Sequence, residues 1–152
     1  MRSNVVRFSL VTLALSFTAL SPSAWADQNS RTALDALIAS YAAKNGVPVS
    51  LVHRVIVRES RYNARVIGRG GAMGLMQIKH ATARGLGYTG PASGLLDPET
   101  NLNYAVQYLA GAYRVAGGNE NRAVSYFARG YYYAAKQQGL TVKKVAAAMP
   151  ID

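Results

Sequence analysis

With 152 residues and a formal charge of +10, from 17 Lys and Arg against 7 Asp and Glu, the chain has room for one ordinary core and a surface suited to polyanions. The absence of cysteine excludes disulfides, thiolate catalysis and cysteine-based zinc sites. Two histidines, His53 and His80, argue against a histidine-built metal site.

The chain opens with Arg2 and Arg7, an apolar run over 8–20, a Ser21-Pro22-Ser23 break and the small-x-small triplet Ala24-Trp25-Ala26. This pattern predicts a secretory signal peptide over 1–26, cleaved after Ala26. The run falls short of the ~18–20 residues that span a bilayer, so no stable membrane span is expected. The remaining 27–152 form one domain without repeats or low-complexity linkers, and without Arg2 and Arg7 its net charge is +8. For an exported chain the near polyanions are a cell wall whose peptide stems carry carboxylates, and the anionic membrane face. The cations are scattered rather than clustered, so solubility explains them equally well. A nucleic-acid reading rests on charge alone, and no nucleic-acid partner is expected.

Ser30 or Thr32 can cap a first helix running to about residue 44, with Leu34, Leu37, Ile38 and Tyr41 as one apolar stripe and Asn45-Gly46 as its stop. Val47-Pro48 leads into a second helix over 49–60, buried through Val52, Val55 and Ile56. Residues 62–73, with Gly68, Gly70 and Gly71, and then Gly74, read as loop with a minor hairpin near 68–74. Short helices are expected over 74–78 and 81–86, then loop over 85–94. Asp97-Pro98-Glu99 is a strong helix start, followed by Leu102, Val106, Leu109 and Tyr113 and stopped by Gly117-Gly118. Asn119 caps a helix to about 129, and Thr141 a last short one to about 149. The expected fold is all-α, with at most a minor hairpin.

Glu59 stands out. It is i+7 from Val52, i+4 from Val55 and i+3 from Ile56, so it lies on the apolar face of the second helix where leucine is usual. Burial favours the neutral acid, and the carbonyl dipoles of the last helical turn act the same way. Arg58 and Arg61 oppose this where they reach it, but their helical angles point away from the stripe. A protonated carboxyl near neutral pH is what a general acid requires. The bland alternative is a glutamate paired with an arginine at a helix end. Other carboxylates compete poorly: Asp27, Asp35, Glu120 and Asp152 are terminal or on exposed faces, and Asp97 and Glu99 are explained by the helix start. A two-carboxylate glycosidase has no evident second acid here, whereas a substrate that supplies its own nucleophile needs only one.

Glu59-Ser60-Arg61-Tyr62-Asn63, then Gly71-Ala72-Met73-Gly74-Leu75-Met76-Gln77-Ile78, Thr82-Ala83, Leu96-Asp97-Pro98, Asn101-Leu102 and Tyr108-Leu109 carry a resemblance in order and spacing over 47–130. The segment resembles the soluble lytic transglycosylase catalytic domain. The resemblance implies a goose-lysozyme-like helical fold and cleavage of the β-1,4 bond between N-acetylmuramic acid and N-acetylglucosamine in peptidoglycan. By this analogy Glu59 protonates the glycosidic oxygen, then accepts the proton of the muramic C6 hydroxyl as that oxygen attacks C1, giving a 1,6-anhydro end. Met76 and Gln77 match positions lining the sugar groove. No metal or organic cofactor is implied.

Two positions depart from the family pattern. A serine often found nine residues after the glutamate is Gly68, and the later Ala-Tyr-Asn-x-Gly motif has its nearest match in Tyr126-Phe127-Ala128-Arg129-Gly130, with Ala128 in place of asparagine. Both remove hydrogen-bond partners from the cleft. Tyr131, Tyr132 and Tyr133 follow, and could supply a hydroxyl or a stacking face, although helical spacing buries at least one. The expected partner is the peptidoglycan glycan strand, met by a monomer in the periplasm. The small size resembles compact family members that open the wall locally for secretion or conjugation machinery. The alternatives are a hydrolytic lysozyme and a catalytically weakened wall-binding or assembly protein.

Overall fold

The computed structural model describes residues 22–140. The expected signal run over 8–20 and the expected last helix over 141–149 lie outside the described residues. Six helices are described: α1 (Pro22–Lys44), α2 (Val49–Glu59), α3 (His80–Gly85), α4 (Pro98–Val115), α5 (Glu120–Arg129) and α6 (Tyr132–Gln137). A two-stranded antiparallel hairpin, β1 (Ala72–Met73) and β2 (Ile78–Lys79), pairs Ala72 with Lys79 and Met73 with Ile78. Among the described residues no helix is long and apolar enough to cross a membrane.

α4 is the central element. Asp97 accepts from the Thr100 backbone N–H at 2.8 Å and Pro98 occupies the first turn, so the start is fixed by a side-chain cap. Leu102, Val106 and Leu109 are fully buried, and Ala105, Ala110 and Ala112 keep the rest of its surface narrow enough for close helix packing. α5, capped by Asn119 on the Arg122 N–H at 2.9 Å, packs along α4 through Ala123, Val124 and Phe127. α1 and α2 close the other side, with Ile38, Leu51, Val52, Val55 and Ile56 at zero exposure.

Several expectations give way to the structure. α1 begins at Pro22 rather than at Ser30 or Thr32, and the Thr32 hydroxyl donates back to the Gln28 carbonyl at 2.9 Å as a helix-interior residue. The Ala24-Trp25-Ala26 triplet therefore lies within the backbone of α1. The loop before α4 ends in a 3-10 segment, Ala92–Leu96, and α6 is an added helix where only a run of tyrosines was evident.

The expected helix over 74–78 is instead the turn of the hairpin. Gly74 (φ 74°) and Gln77 (φ 50°) are both left-handed, which a right-handed helix cannot include. The turn is held from α4: buried Asn101 accepts from the Met76 N–H at 2.9 Å and donates to the Met73 and Leu95 carbonyls at 2.8 Å each. Gly74 lies so close to the Asn101 amide and the Leu95 carbonyl that no Cβ fits there.

Candidate active site

Glu59 is the last residue of α2, and the chain reverses directly after it. The Ser60 and Arg61 N–H groups both close on the Ile56 carbonyl at 3.0 Å, and Arg61 (φ 51°) and Tyr62 (φ 67°) adopt left-handed backbone. This is a costly conformation for two side-chain-bearing residues, and it ends the helix at the carboxylate. His53 and the Tyr62 hydroxyl meet at 2.7 Å and brace the reversal against α2.

The carboxylate faces a cavity of about 350 Å³ bounded by Arg58, Glu59, Arg69, Ala72, Gln77, Lys79, Phe127 and Ala128. A second cavity of about 240 Å³ shares Gln77, Lys79, Phe127 and Ala128 and continues to Thr82, Tyr108, Arg129 and Gly130. Together they form one cleft between the end of α2, the hairpin and the end of α5. Glu59 is its one carboxylate among the lining residues.

Glu59 retains 23% of its side-chain surface, and burial raises its pKa above the ordinary carboxyl value. The Arg58 guanidinium, 3.7 Å from the carboxylate and itself half exposed, acts in the lowering direction but is the weaker influence. So Arg58 does reach Glu59, contrary to the expectation that its helical angle carries it away, and burial still wins.

Gln77 is held between the hairpin and the preceding loop. Its amide nitrogen donates to the Val66 and Gly74 carbonyls, each at 3.0 Å. Its carbonyl oxygen occupies the volume that a Cβ on Gly68 would take. Gly68 has ordinary extended backbone (φ −92°, ψ −175°), so close approach, not conformation, selects glycine. The side-chain oxygen of Gln77 thus fills the space left by the missing residue-68 side chain.

The other candidate residues are dispersed. Phe127 and Ala128 line the cleft beside Gln77. Met76 does not: its side chain is fully buried under the hairpin turn, which points it inward against α4. Tyr131 is also buried, 4.9 Å from the Tyr108 ring, so it backs a cleft residue rather than facing substrate. Tyr126 is half-buried and packs on the core, and Tyr132 and Tyr133 are exposed on α6; none of the three borders the cleft. Sequence reasoning missed the cations Arg69, Lys79 and Arg129, along with Thr82 and Tyr108 as lining residues. Nothing local marks them, because their convergence depends on hairpin register and on the packing of α5 along α4.

The transglycosylase SLT domain model matches residues 36–148. The peptidoglycan transglycosylase gp16 of Escherichia phage T7 is 34% identical over 107 residues, covering 68% of this chain and 8% of that protein. The soluble lytic murein transglycosylase of Escherichia coli K12 is 37% identical over 90 residues, covering 55% of this chain and 14% of that protein. In structure, the 70 kDa soluble lytic transglycosylase of Escherichia coli superposes with a TM-score of 0.61 and 29% identity, over 68% of this chain and 18% of that one. The chain spans less than a fifth of the length of these relatives.

Proposed function

The chain belongs to the transglycosylase SLT domain family, and from that footing we propose that it is a peptidoglycan lytic transglycosylase with Glu59 as its sole acid–base group. The observation that carries this reading is a single carboxylate lining the cleft, with its proton affinity raised by burial. A lone carboxyl can serve both halves of a non-hydrolytic cleavage. Its proton passes to the glycosidic oxygen as the C1–O bond breaks. The resulting carboxylate takes the proton of the muramic C6 hydroxyl as that oxygen bonds to C1. The carboxyl is thereby regenerated, no water is consumed, and the fragment ends in 1,6-anhydro-muramic acid. Gln77 and Phe127 shape the sugar site beside it, and no cofactor enters the scheme.

The leader pattern over 1–26 supports export with cleavage after Ala26, a mature domain over 27–152, and action in the periplasm. Local wall opening for a secretion or conjugation apparatus fits the small domain. Mass spectrometry of wall digests tests the reaction type: anhydro ends are lighter than reducing ends by one water. Fragments with reducing ends alone would make the protein a lysozyme. Exposed Ala128, where the family motif carries asparagine, favours a second reading as a wall-binding protein with weak turnover. That reading predicts wall binding without soluble fragments.

A further inference from the structure

The cleft is cationic at both of its ends. Arg58, Arg69 and Lys79 border the Glu59 end, and Lys79 and Arg129 border the far end. Of these, Arg58 alone acts on the Glu59 carboxyl. Among the described residues no carboxylate lies within ion-pair distance of Arg69, Lys79 or Arg129, and all three are exposed. Their placement is built by the fold. Lys79 sits on β2 opposite Ala72 and leans over Gly70, where a Cβ would be 3.6 Å from its ammonium nitrogen. Arg69 opens the 3-10 turn Arg69–Gly71 that leads into β1, and Arg129 ends α5. Three separate elements thus bring unpaired positive charge to one groove.

A neutral polysaccharide gives such a groove nothing to pair with, and the cations repel one another when it is empty. A peptidoglycan strand whose stems carry free carboxylates meets them with opposite charge. We infer that Arg69, Lys79 and Arg129 are receptors for the carboxylates of peptide stems, so that the cleft selects stem-bearing, anionic glycan over neutral glycan. This rests on the proposed wall substrate and adds which form of it is taken. Lys79, common to both ends, is placed to meet a stem next to the reacting bond, and Arg129 one further along the strand. The pairs form at exposed side chains, so each contributes a small factor and the effect weakens with salt.

The test uses sacculi in two forms, native and with stem carboxylates converted to neutral methylamides, which keeps size and glycan unchanged. Cosedimentation and release of soluble fragments are both measured, for the wild type, for Arg69→Gln/Lys79→Gln/Arg129→Gln, and for the off-cleft control Arg65→Gln/Arg84→Gln/Arg122→Gln of equal charge. The wild type and the control should prefer native sacculi by about three- to tenfold in both readouts at low salt. The cleft variant should lose the preference, its ratio of native to amidated sacculi falling towards one in both readouts whatever its absolute rate. An unchanged preference in the cleft variant, or an equal loss in the control, overturns the inference; the latter outcome leaves net charge alone as the cause. If no protein releases fragments, the enzymatic reading fails, while cosedimentation still decides the inference. Single Lys79→Gln, expected to lose part of the preference, stands in if the triple variant misfolds by circular dichroism.

Discussion

Gly68 and Gln77 occupy one site between them: the side-chain oxygen of Gln77 fills the volume that a Cβ on Gly68 would claim. The serine that the family pattern puts at position 68 is therefore incompatible with Gln77 as it stands. The two positions form a coupled pair, and a change at one is to be judged with the other.

Gly68→Ser should drive the Gln77 amide from the Val66 and Gly74 carbonyls and destabilise the domain by about 1–3 kcal/mol, the usual cost of overpacking. Gln77→Ala should recover part of that loss in the double variant. Denaturant melts of the four proteins in this cycle give the coupling, and additive single effects would show that the two side chains do not share the space.

Asn101 ties α4 to the hairpin through the Met76 N–H and the Met73 carbonyl, and to the 3-10 segment before α4 through the Leu95 carbonyl, at 2.8–2.9 Å. Asn101→Leu leaves the Met76 N–H and the Met73 and Leu95 carbonyls without it. Stability should fall by about 3 kcal/mol or more. Hydrogen exchange should show the Met76 amide losing protection ahead of the middle of α4.

Burial raises the Glu59 pKa and Arg58 holds it back. The active acid is the protonated form, so the alkaline limb of the pH–rate profile should lie above the ordinary carboxyl range. Arg58→Gln should move that limb to higher pH. Stability follows the same proton. An acid with a raised folded-state pKa binds its proton more tightly when folded. Its contribution is complete below the ordinary value of 4.5 and is lost as pH rises through the raised value. Glu59→Gln should flatten this slope in thermal melts across that window.

Tyr131 and Tyr133 are two residues apart and should respond to truncation by very different amounts. Tyr131→Ala removes a buried ring whose centroid lies 4.9 Å from that of Tyr108 and should cost about 3 kcal/mol or more. Tyr133, 78% exposed, should change stability by less than about 0.5 kcal/mol as alanine. Equal melting shifts for the two would contradict the placement of α6.

What could be read from the sequence was local. The caps at Asp97 and Asn119, the stripe Leu102–Val106–Leu109 and the register that puts Glu59 on the apolar side of α2 all lie within one or two helical turns. What could not be read was set from far along the chain. The Gly74–Gln77 turn looks like a short apolar helix until Asn101, 25 residues beyond Met76, takes its backbone donor. Met76 accordingly turns inward, away from the groove it was expected to line. Thr32 carries cap chemistry but lies inside a longer helix. The cleft cations are ordinary surface residues in sequence, and only tertiary packing gathers them into the cleft that Glu59 borders.

The most direct test of the account is the rate at which purified sacculi are solubilised by the wild type and by Glu59→Gln, compared at equal folded concentration. The amide keeps the shape of the side chain and cannot give up a proton, so solubilisation should fall by about a hundredfold or more while cosedimentation with sacculi persists. Release of soluble fragments by Glu59→Gln at the wild-type rate would contradict it.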